Sequence, residues 1–547
     1  MKTDIMALLL NHLPILPILL PMLAGALLLF SSDSRHGPRL ALSILALLAQ
    51  FAVALLLLAA SDGRLALPWT EAIGVYALGG WAAPFGIVLV VDRLSAIMVL
   101  LTATLGLAAL IYSVARWEKA GVHYLPLFQF LLMGLNGSFL TGDLFNLFVF
   151  FEIMLAASYG LVLHASGGPR VRAGLHYIVV NLAASLIFLI GIALVYGLTG
   201  TLNLAELPGR VAALSAADRP IFNSAVALLG VVFLTKAAAW PLNFWLPAAY
   251  GHAVPPVGAV FAILTKVGVY VLLRLGVLLQ ESGSAAPAPF GGDWLFYCGL
   301  ATMFSGTLGV LSSQSLDRLA AFLVIVSSGT LLTAFGFTGT LLTGPAIYYL
   351  VSSVLGGGAF FMLIEMAERN RRVGADLLAI SQEAFGVELH DDTTPDEQVG
   401  VAIPAATAFL GLAFVSCVLL LTGLPPFSGF VGKLALLGAA LASLPTAPLS
   451  HTSLFIAALL ISGLAGLIAL SRLGIRVFWD MARPTPHLQW LEAGPVAFLL
   501  TLCLGLALLP EDLLALAEAA SRSLYDPADY IGAVLAPNPA AAPGVQP

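Results

Sequence analysis

The chain has 547 residues, 60% of hydrophobic types and only 10% charged, and its 23 Lys and Arg against 29 Asp and Glu leave a net charge of −6. A soluble domain carries roughly 25% charged residues, so this composition cannot clothe a water-facing surface of comparable size. It excludes a soluble enzyme, a nucleic-acid binder and a disordered chain, and leaves one large membrane domain.

A membrane-crossing helix needs about 20 mostly apolar residues. Scanned with that ruler, the chain predicts spans near 6–30, 40–60, 94–114, 123–141, 144–164, 174–198, 221–247, 253–279, 294–313, 319–340, 343–367, 402–444, 452–478 and 491–510. The first run is too long for the apolar part of a signal peptide and reads as a span. The stretch 402–444 is long enough for one broken helix or two short ones. The expected fold class is thus an all-α polytopic membrane protein with about 14 transmembrane helices. Arg369 to Gly400 is a polar, acidic insertion with Glu383, Glu388, Asp391, Asp392, Asp396 and Glu397, read as a solvated loop or a docking surface for a partner. Beyond Glu511 lies a short amphipathic stretch, then a Pro/Ala-rich tail from Ala536 with the composition of a disordered segment.

Orientation follows from Lys and Arg. Arg35, Arg39, Arg116, Lys119, Arg170, Arg172, Arg318, Arg369, Arg371, Arg372, Arg476 and Arg483 all fall in odd-numbered loops. Even-numbered loops offer mainly Arg64, Arg210, Arg219 and Arg274. Positively charged loops stay in the cytoplasm, which puts both termini on the periplasmic or outer side.

Few ionisable residues sit near helix centres. Glu152 is central in 144–164, Lys236 in 221–247 and Lys266 in 253–279, while Lys433 lies in the second half of 402–444. A charge at mid-bilayer costs about 3 kcal/mol on insertion scales and marks ion or proton pathways. Glu365 and Arg472 lie near helix ends, where they can snorkel. A structural ion pair would explain any one of the four, but one acid and three lysines cannot neutralise one another pairwise. Together they read as a proton relay.

Prolines stand beside the lysines. Pro241 follows Lys236 by five residues and removes the hydrogen bond to the Ala237 carbonyl. Pro425 and Pro426 precede Lys433, with Gly429 and Gly432 loosening the next turn. Broken helices at membrane depth are tolerated where they line a cavity or are covered by protein, and paired in two halves they mark inverted-repeat transporters. Thr235 and Thr265 directly precede Lys236 and Lys266; each hydroxyl either carries a bridging water or caps a helix carbonyl. His252 is a titratable group or a plain surface histidine, and Asp143 either draws cations inward or caps the helix after it.

Cys298, Cys417 and Cys503 are isolated in apolar runs, so no iron–sulfur, zinc or disulfide framework is written here. There is no phosphate-binding GxxxxGK[ST], and Gly356-Gly357-Gly358 lies inside a span. No catalytic site, metal or cofactor is expected.

Three stretches carry a family resemblance: Leu140-Thr141-Gly142-Asp143 through Phe151-Glu152, Lys236-Ala237-Ala238 through Trp245-Leu246-Pro247 and Pro255-Pro256-Val257 to Lys266, and Gly423-Leu424-Pro425-Pro426-Phe427-Ser428-Gly429 ahead of Lys433. In these the chain resembles the D-type subunits of the Mrp-type multisubunit Na⁺/H⁺ antiporters, within the wider family of antiporter-like subunits of respiratory complex I. The resemblance implies fourteen helices, with two inverted five-helix repeats and broken helices 7 and 12. It divides the chain into 1–120 (helices 1–3), 121–280 (helices 4–8), 290–480 (helices 9–13, with the acidic loop 369–400) and 485–547 (helix 14 and tail). It also implies a Glu152–Lys236 pair, a connecting Lys266 and a terminal Lys433 that carry protons. Complex I subunits often have a histidine four residues before that connecting lysine; Ala262 stands here, which favours the antiporter branch. The implied function is a secondary-transporter subunit, not an enzyme, in a bacterial inner membrane. Its partners would be the other antiporter subunits, membrane lipid, protons and Na⁺, with no nucleic acid and no cofactor. The alternative is a proton-translocating subunit of a complex I or membrane-bound hydrogenase.

Overall fold

A computed structural model of the chain describes residues 10–536 except 32–35, 66, 68, 82, 281–291, 338, 386–403, 446–447 and 479–487, with the backbone alone over 370–385. Leucine-rich runs become helices α1 (Leu16–Phe30) and α2 (His36–Ser61). A two-stranded antiparallel sheet follows, β1 (Gly74–Ala77) against β2 (Val88–Val91), with Gly74 facing Val91. Next come α3 (Arg93–Val114), α4 (Tyr124–Leu140), α5 (Leu144–Val162) and α6 (Gly168–Thr199). Beyond them lie α7 (Arg219–Lys236), the short α8 (Leu246–His252), α9 (Pro255–Gln280), α10 (Asp293–Ser312) and α11 (Leu316–Gly336). The chain ends with α12 (Thr340–Phe385), α13 (Ala405–Thr422), α14 (Ser428–Ala442), α15 (Leu449–Phe478), α16 (Trp490–Leu508), α17 (Pro510–Leu524) and α18 (Pro527–Leu535).

Among the described residues 13 helices are long and apolar enough to cross a membrane, and Tyr124–Leu140 and Ser428–Ala442 are shorter apolar helices. Every expected span coincides with one of these. The stretch expected at 402–444 is two helices, α13 and α14, parted at 423–427, and the stretch at 221–247 is α7 and α8, parted at 237–245.

Helix starts follow local chemistry. Asp92 caps α3 in a reciprocal box: its carboxylate accepts from the Ser95 N–H at 2.8 Å, and the Ser95 hydroxyl accepts from the Asp92 N–H at 2.9 Å. Proline opens α17 and α18 in the first-turn position it favours. α9 is apolar apart from Thr265, Lys266 and Arg274 and is buried from Pro256 to Leu279, which makes it the central pillar. α6 and α15 bury one side only and turn residues such as Leu186, Ile190, Ile461 and Leu464 outward, as lipid-facing helices do.

The helical fold is as expected, with one short addition, the β1–β2 hairpin; Val88–Val91 is four buried residues ahead of a span, too short for the span ruler to register. Two expectations need correction. α12 continues to Phe385, so the first part of the acidic insertion is helix rather than loop. Glu388, Asp391, Asp392, Asp396 and Glu397 lie outside the described residues, as do Arg35, Arg483, residues 1–9 and the tail beyond Ala536. Arg274 is not a loop charge: it is buried within α9, where its guanidinium grips Asp92 through both Nη1 and Nη2. Glu365 and Arg472 are both partnered. Glu365 accepts from Tyr112, Arg116 and Arg369, and Arg472 donates to the Leu311 and Ser313 carbonyls at 2.9 and 2.8 Å.

Candidate ion-translocation site

The first buried group centres on α5, α6 and α7. Lys236 is the last residue of α7, 5% exposed, and its Nζ donates to Asn181 Oδ1 on α6 at 3.1 Å. It also lies 5.7 Å from the centre of the Phe151 ring. Asn181 is held by its own helix, with Nδ2 donating to the Tyr177 carbonyl at 2.9 Å, and the Tyr177 hydroxyl meets Ser158 at 2.8 Å. Glu152 stands midway along α5 with Oε1 buried and without a hydrogen-bond partner. It makes no ion-pair contact with Lys236 and acts on that ammonium through space.

Lys236 ends its helix because the chain leaves helical geometry at Ala237 and resumes it at Leu246. Freed backbone groups there must find partners at membrane depth. The Trp240 N–H donates to Thr302 Oγ1 at 2.9 Å and Asn243 Nδ2 to Ser305 Oγ at 3.0 Å, both on α10. Trp245 Nε1 reaches back to the Thr235 carbonyl at 3.3 Å. The break is therefore anchored to α10 rather than loose. α9 crosses the broken end closely, with Gly268 packed on the backbone of Phe233, Lys236 and Ala237.

Lys266 lies on α9, 1% exposed, and its Nζ donates to Ser327 Oγ at 2.5 Å and Ser328 Oγ at 3.0 Å on α11. Lys433 lies on α14, and its Nζ donates to the carbonyl of Thr422 at 2.8 Å. Thr422 is the last residue of α13, so the lysine caps a carbonyl that the helix break sets free. Gly423, at φ +81°, takes the left-handed position that ends α13, and a Cβ there would overlap the Lys433 side chain.

A cavity of about 30 Å³ joins the two, lined by Lys266, Ser327, Tyr349, Ser352, Ser353 and Lys433. A water needs roughly 10–15 Å³ by this measure and two to four polar partners, so the space between the lysines is large and polar enough to take one. A larger cavity of about 1060 Å³ opens at the odd-loop end of α11 and α12, lined among others by Arg116, Arg170, His252, Arg318 and Glu365.

The other expected residues have plainer roles. The Asp143 carboxylate accepts from the Phe145 and Asn146 N–H groups at 2.8 and 2.9 Å as the cap of α5, and burial raises its carboxyl above the usual carboxylate value against those two bonds. Thr235 and Thr265 spend their hydroxyls on the carbonyls of Val231 and Ala262, at 2.8 and 3.5 Å. His252 is exposed, its Nδ1 2.8 Å from the Ala248 carbonyl. Among the described residues no group of three or more His, Cys, Asp or Glu is placed to hold a metal. Sequence reasoning missed Asn181, Thr302, Ser305, Ser327 and Ser328. The available signal was a neutral polar residue at the middle of an apolar run, which hydropathy barely registers.

A family model described as NADH:quinone oxidoreductase/Mrp antiporter, TM matches residues 141–459. The chain is 49% identical over 532 residues to the D-type subunit of a probable K(+)/H(+) antiporter of Rhizobium meliloti, covering 96% of this chain and 98% of that one. It is 32% identical to the D-type subunit of the Na(+)/H(+) antiporter of Alkalihalophilus pseudofirmus, covering 96% and 99%. A chain of the Mrp complex from Dietzia sp. DQ12-45-1b superposes with a TM-score of 0.80 at 27% identity, over 96% of this chain and 99% of that one. A chain of an archaeal membrane-bound sulfane sulfur reductase shares the fold at a TM-score of 0.77 and 22% identity, over 96% and 99%. With the family model matching 141–459 and the relatives running nearly end to end, the chain belongs to the NADH:quinone oxidoreductase/Mrp antiporter membrane family, on the branch of the antiporters' D-type subunits.

Proposed function

We propose that this chain works as a membrane subunit of a multisubunit monovalent cation/proton antiporter and carries protons along Glu152, Lys236, Lys266 and Lys433. The observation that carries the reading is the lysines' surroundings. Three lysines lie at membrane depth, and the hydrogen bonds to each ammonium come from neutral oxygens: Asn181, Ser327 with Ser328, and the Thr422 carbonyl. Locked structural ion pairs would instead put a carboxylate on each.

The proton stays on Lys236 while the Glu152 carboxylate is near and moves on when that charge withdraws. Lys266 receives it, and a water in the cavity shared with Lys433 bridges the next step. The two broken helices stand at corresponding places in two inverted repeats, helices 4–8 and 9–13. The loop charges favour odd loops in the cytoplasm and both termini outside, in the plasma membrane of a bacterium. A relay conserves nothing unless it is joined to a second flux, so the chain acts with the other antiporter subunits. One relative is named as a subunit of a probable K(+)/H(+) antiporter and another of a Na(+)/H(+) antiporter, and a monovalent cation is the shared substrate class.

The test is exchange in everted membrane vesicles that hold the full assembly. Adding K⁺ or Na⁺ should discharge a preformed pH gradient without any electron donor, and the chain alone in liposomes should not. Robust exchange by the single chain, or none by the assembly, overturns the reading.

A further inference from the structure

Three tyrosines with buried hydroxyls lie between the first buried group and the large cavity at the odd-loop end, and the relay described above uses none of them. Tyr159 stands on α5 seven residues beyond Glu152, about 10 Å along the same face of the helix. Its hydroxyl is buried without a hydrogen-bond partner, as Glu152 Oε1 is. Helical side chains lean towards the helix N-terminus, so the Tyr159 ring reaches back towards Glu152, whose charge acts on the hydroxyl through space. Tyr177 on α6 packs edge-on against Tyr159, with ring centres 5.6 Å apart. Ser158 spends its own proton on the Leu155 carbonyl at 2.7 Å. The Tyr177 hydroxyl therefore donates to Ser158 at 2.8 Å and keeps its oxygen open to a donor. Tyr250 on α8 carries the third hydroxyl, again buried without a partner, and it interacts with Tyr177 through space.

Both ends of this row meet something useful. Pro247, Ala248, Gly251 and His252, the neighbours of Tyr250 on α8, line the cavity of about 1060 Å³, as does Ser166, two turns beyond Tyr159. At the inner end Asn181, one turn from Tyr177 on α6, holds Lys236. Packing does not ask for the hydroxyls. Phe151, Phe188, Phe233 and Phe261 build the surrounding aromatic cluster without any, and a hydroxyl buried without a partner costs stability. What a phenol adds is the ability to donate and accept together. It takes a proton on its oxygen while passing its own to the next acceptor, and so stays neutral in a place where a charge would be expensive.

We propose that the Tyr159 and Tyr250 hydroxyls, joined through Tyr177 and by water, form the proton inlet that connects the odd-loop cavity to Glu152 and Lys236. The proposal rests on the relay reading and names the residues that feed it.

The experiment is cation-dependent discharge of a pH gradient in everted vesicles holding the full assembly, run in H₂O and in D₂O. Tyr159→Phe and Tyr250→Phe keep the rings and remove one oxygen each. In each variant the maximal rate per assembled complex should fall about 3- to 10-fold, the worth of one hydrogen bond, while the half-saturating K⁺ or Na⁺ concentration stays unchanged. The slowing caused by D₂O should grow in both, because a proton hop has become rate-limiting; a purely structural loss leaves that ratio where it was and overturns the inlet. Tyr196→Phe, at an exposed site on α6, should match wild type. Glu152→Gln separates the two readings. If it exchanges at the wild-type rate, the relay itself fails; if it is silent while both Phe variants keep the wild-type rate and isotope ratio, the inlet alone is overturned. Should Tyr159→Phe not assemble, Tyr250→Phe decides on the same two readouts.

Discussion

Gly268→Ala tests whether the relay depends on the close crossing of α9 over the broken end of α7. A Cβ at Gly268 would lie 2.5 Å from the Phe233 carbonyl oxygen and 2.7 Å from the Ala237 nitrogen, against ordinary contact from 3.4 Å upward. Both neighbours are backbone, and no rotamer change can relieve them. α9 and α7 must therefore separate by about 1 Å, a small-to-large change that costs about 1–3 kcal/mol. The same shift carries Lys266 away from Lys236. A misplacement of about 1 Å costs on the order of 100-fold where function depends on fixed geometry. Proton flux per assembled complex should accordingly fall about 10- to 100-fold, read as dye-reported discharge of a pH gradient in everted vesicles, with assembly scored on native gels. Gly411→Ala is the control, since nothing lies within 4 Å of its added methyl, and it should exchange normally. Wild-type flux in an assembled Gly268→Ala complex would refute the argument.

Asn181→Leu removes the one amide oxygen that holds Lys236; hydrogen bonds to charged groups are worth about 1.5–3 kcal/mol, and flux per assembled complex should drop about 10- to 100-fold. Lys266→Ala should weaken transport less than Lys236→Ala, because the cavity of about 30 Å³ enlarges into the vacated space and water bridges the gap, as the two initial exchange rates would reveal. Asp143→Ala deletes a helix cap worth about 0.5–2 kcal/mol; a thermal-shift assay should find the complex less stable while flux per complex stays unchanged.

The sequence yielded the spans and the deep charges because both are written as large free-energy terms. An apolar run of membrane length has few other homes, and Glu152, Lys236, Lys266 and Lys433 stand out because charge in an apolar run is expensive. Pro241 and Pro425-Pro426 marked where helices part for the same reason: a missing N–H is a local certainty. Neutral partners stayed hidden. Asn181, Ser327 and Ser328 fit within apolar runs at small cost, and only tertiary packing shows which of them face an ammonium. The distance between Glu152 and Lys236 was equally illegible, since equal depth on two helices does not fix which neighbour the ammonium chooses. The β1–β2 hairpin was missed because four-residue strands fall below the length at which periodicity speaks. Arg274 was misplaced because its partner Asp92 is distant in sequence.

Glu152→Gln in the complete assembly is the most direct measurement of the relay. Glutamine keeps the size and hydrogen bonding of the side chain whose Oε1 stands unpartnered near Lys236, and removes only the charge. Cation-dependent discharge of the pH gradient should vanish while the complex assembles at its normal level. An assembled Glu152→Gln complex that exchanges cation for proton at the wild-type rate would contradict the switch and leave the buried charges a structural role.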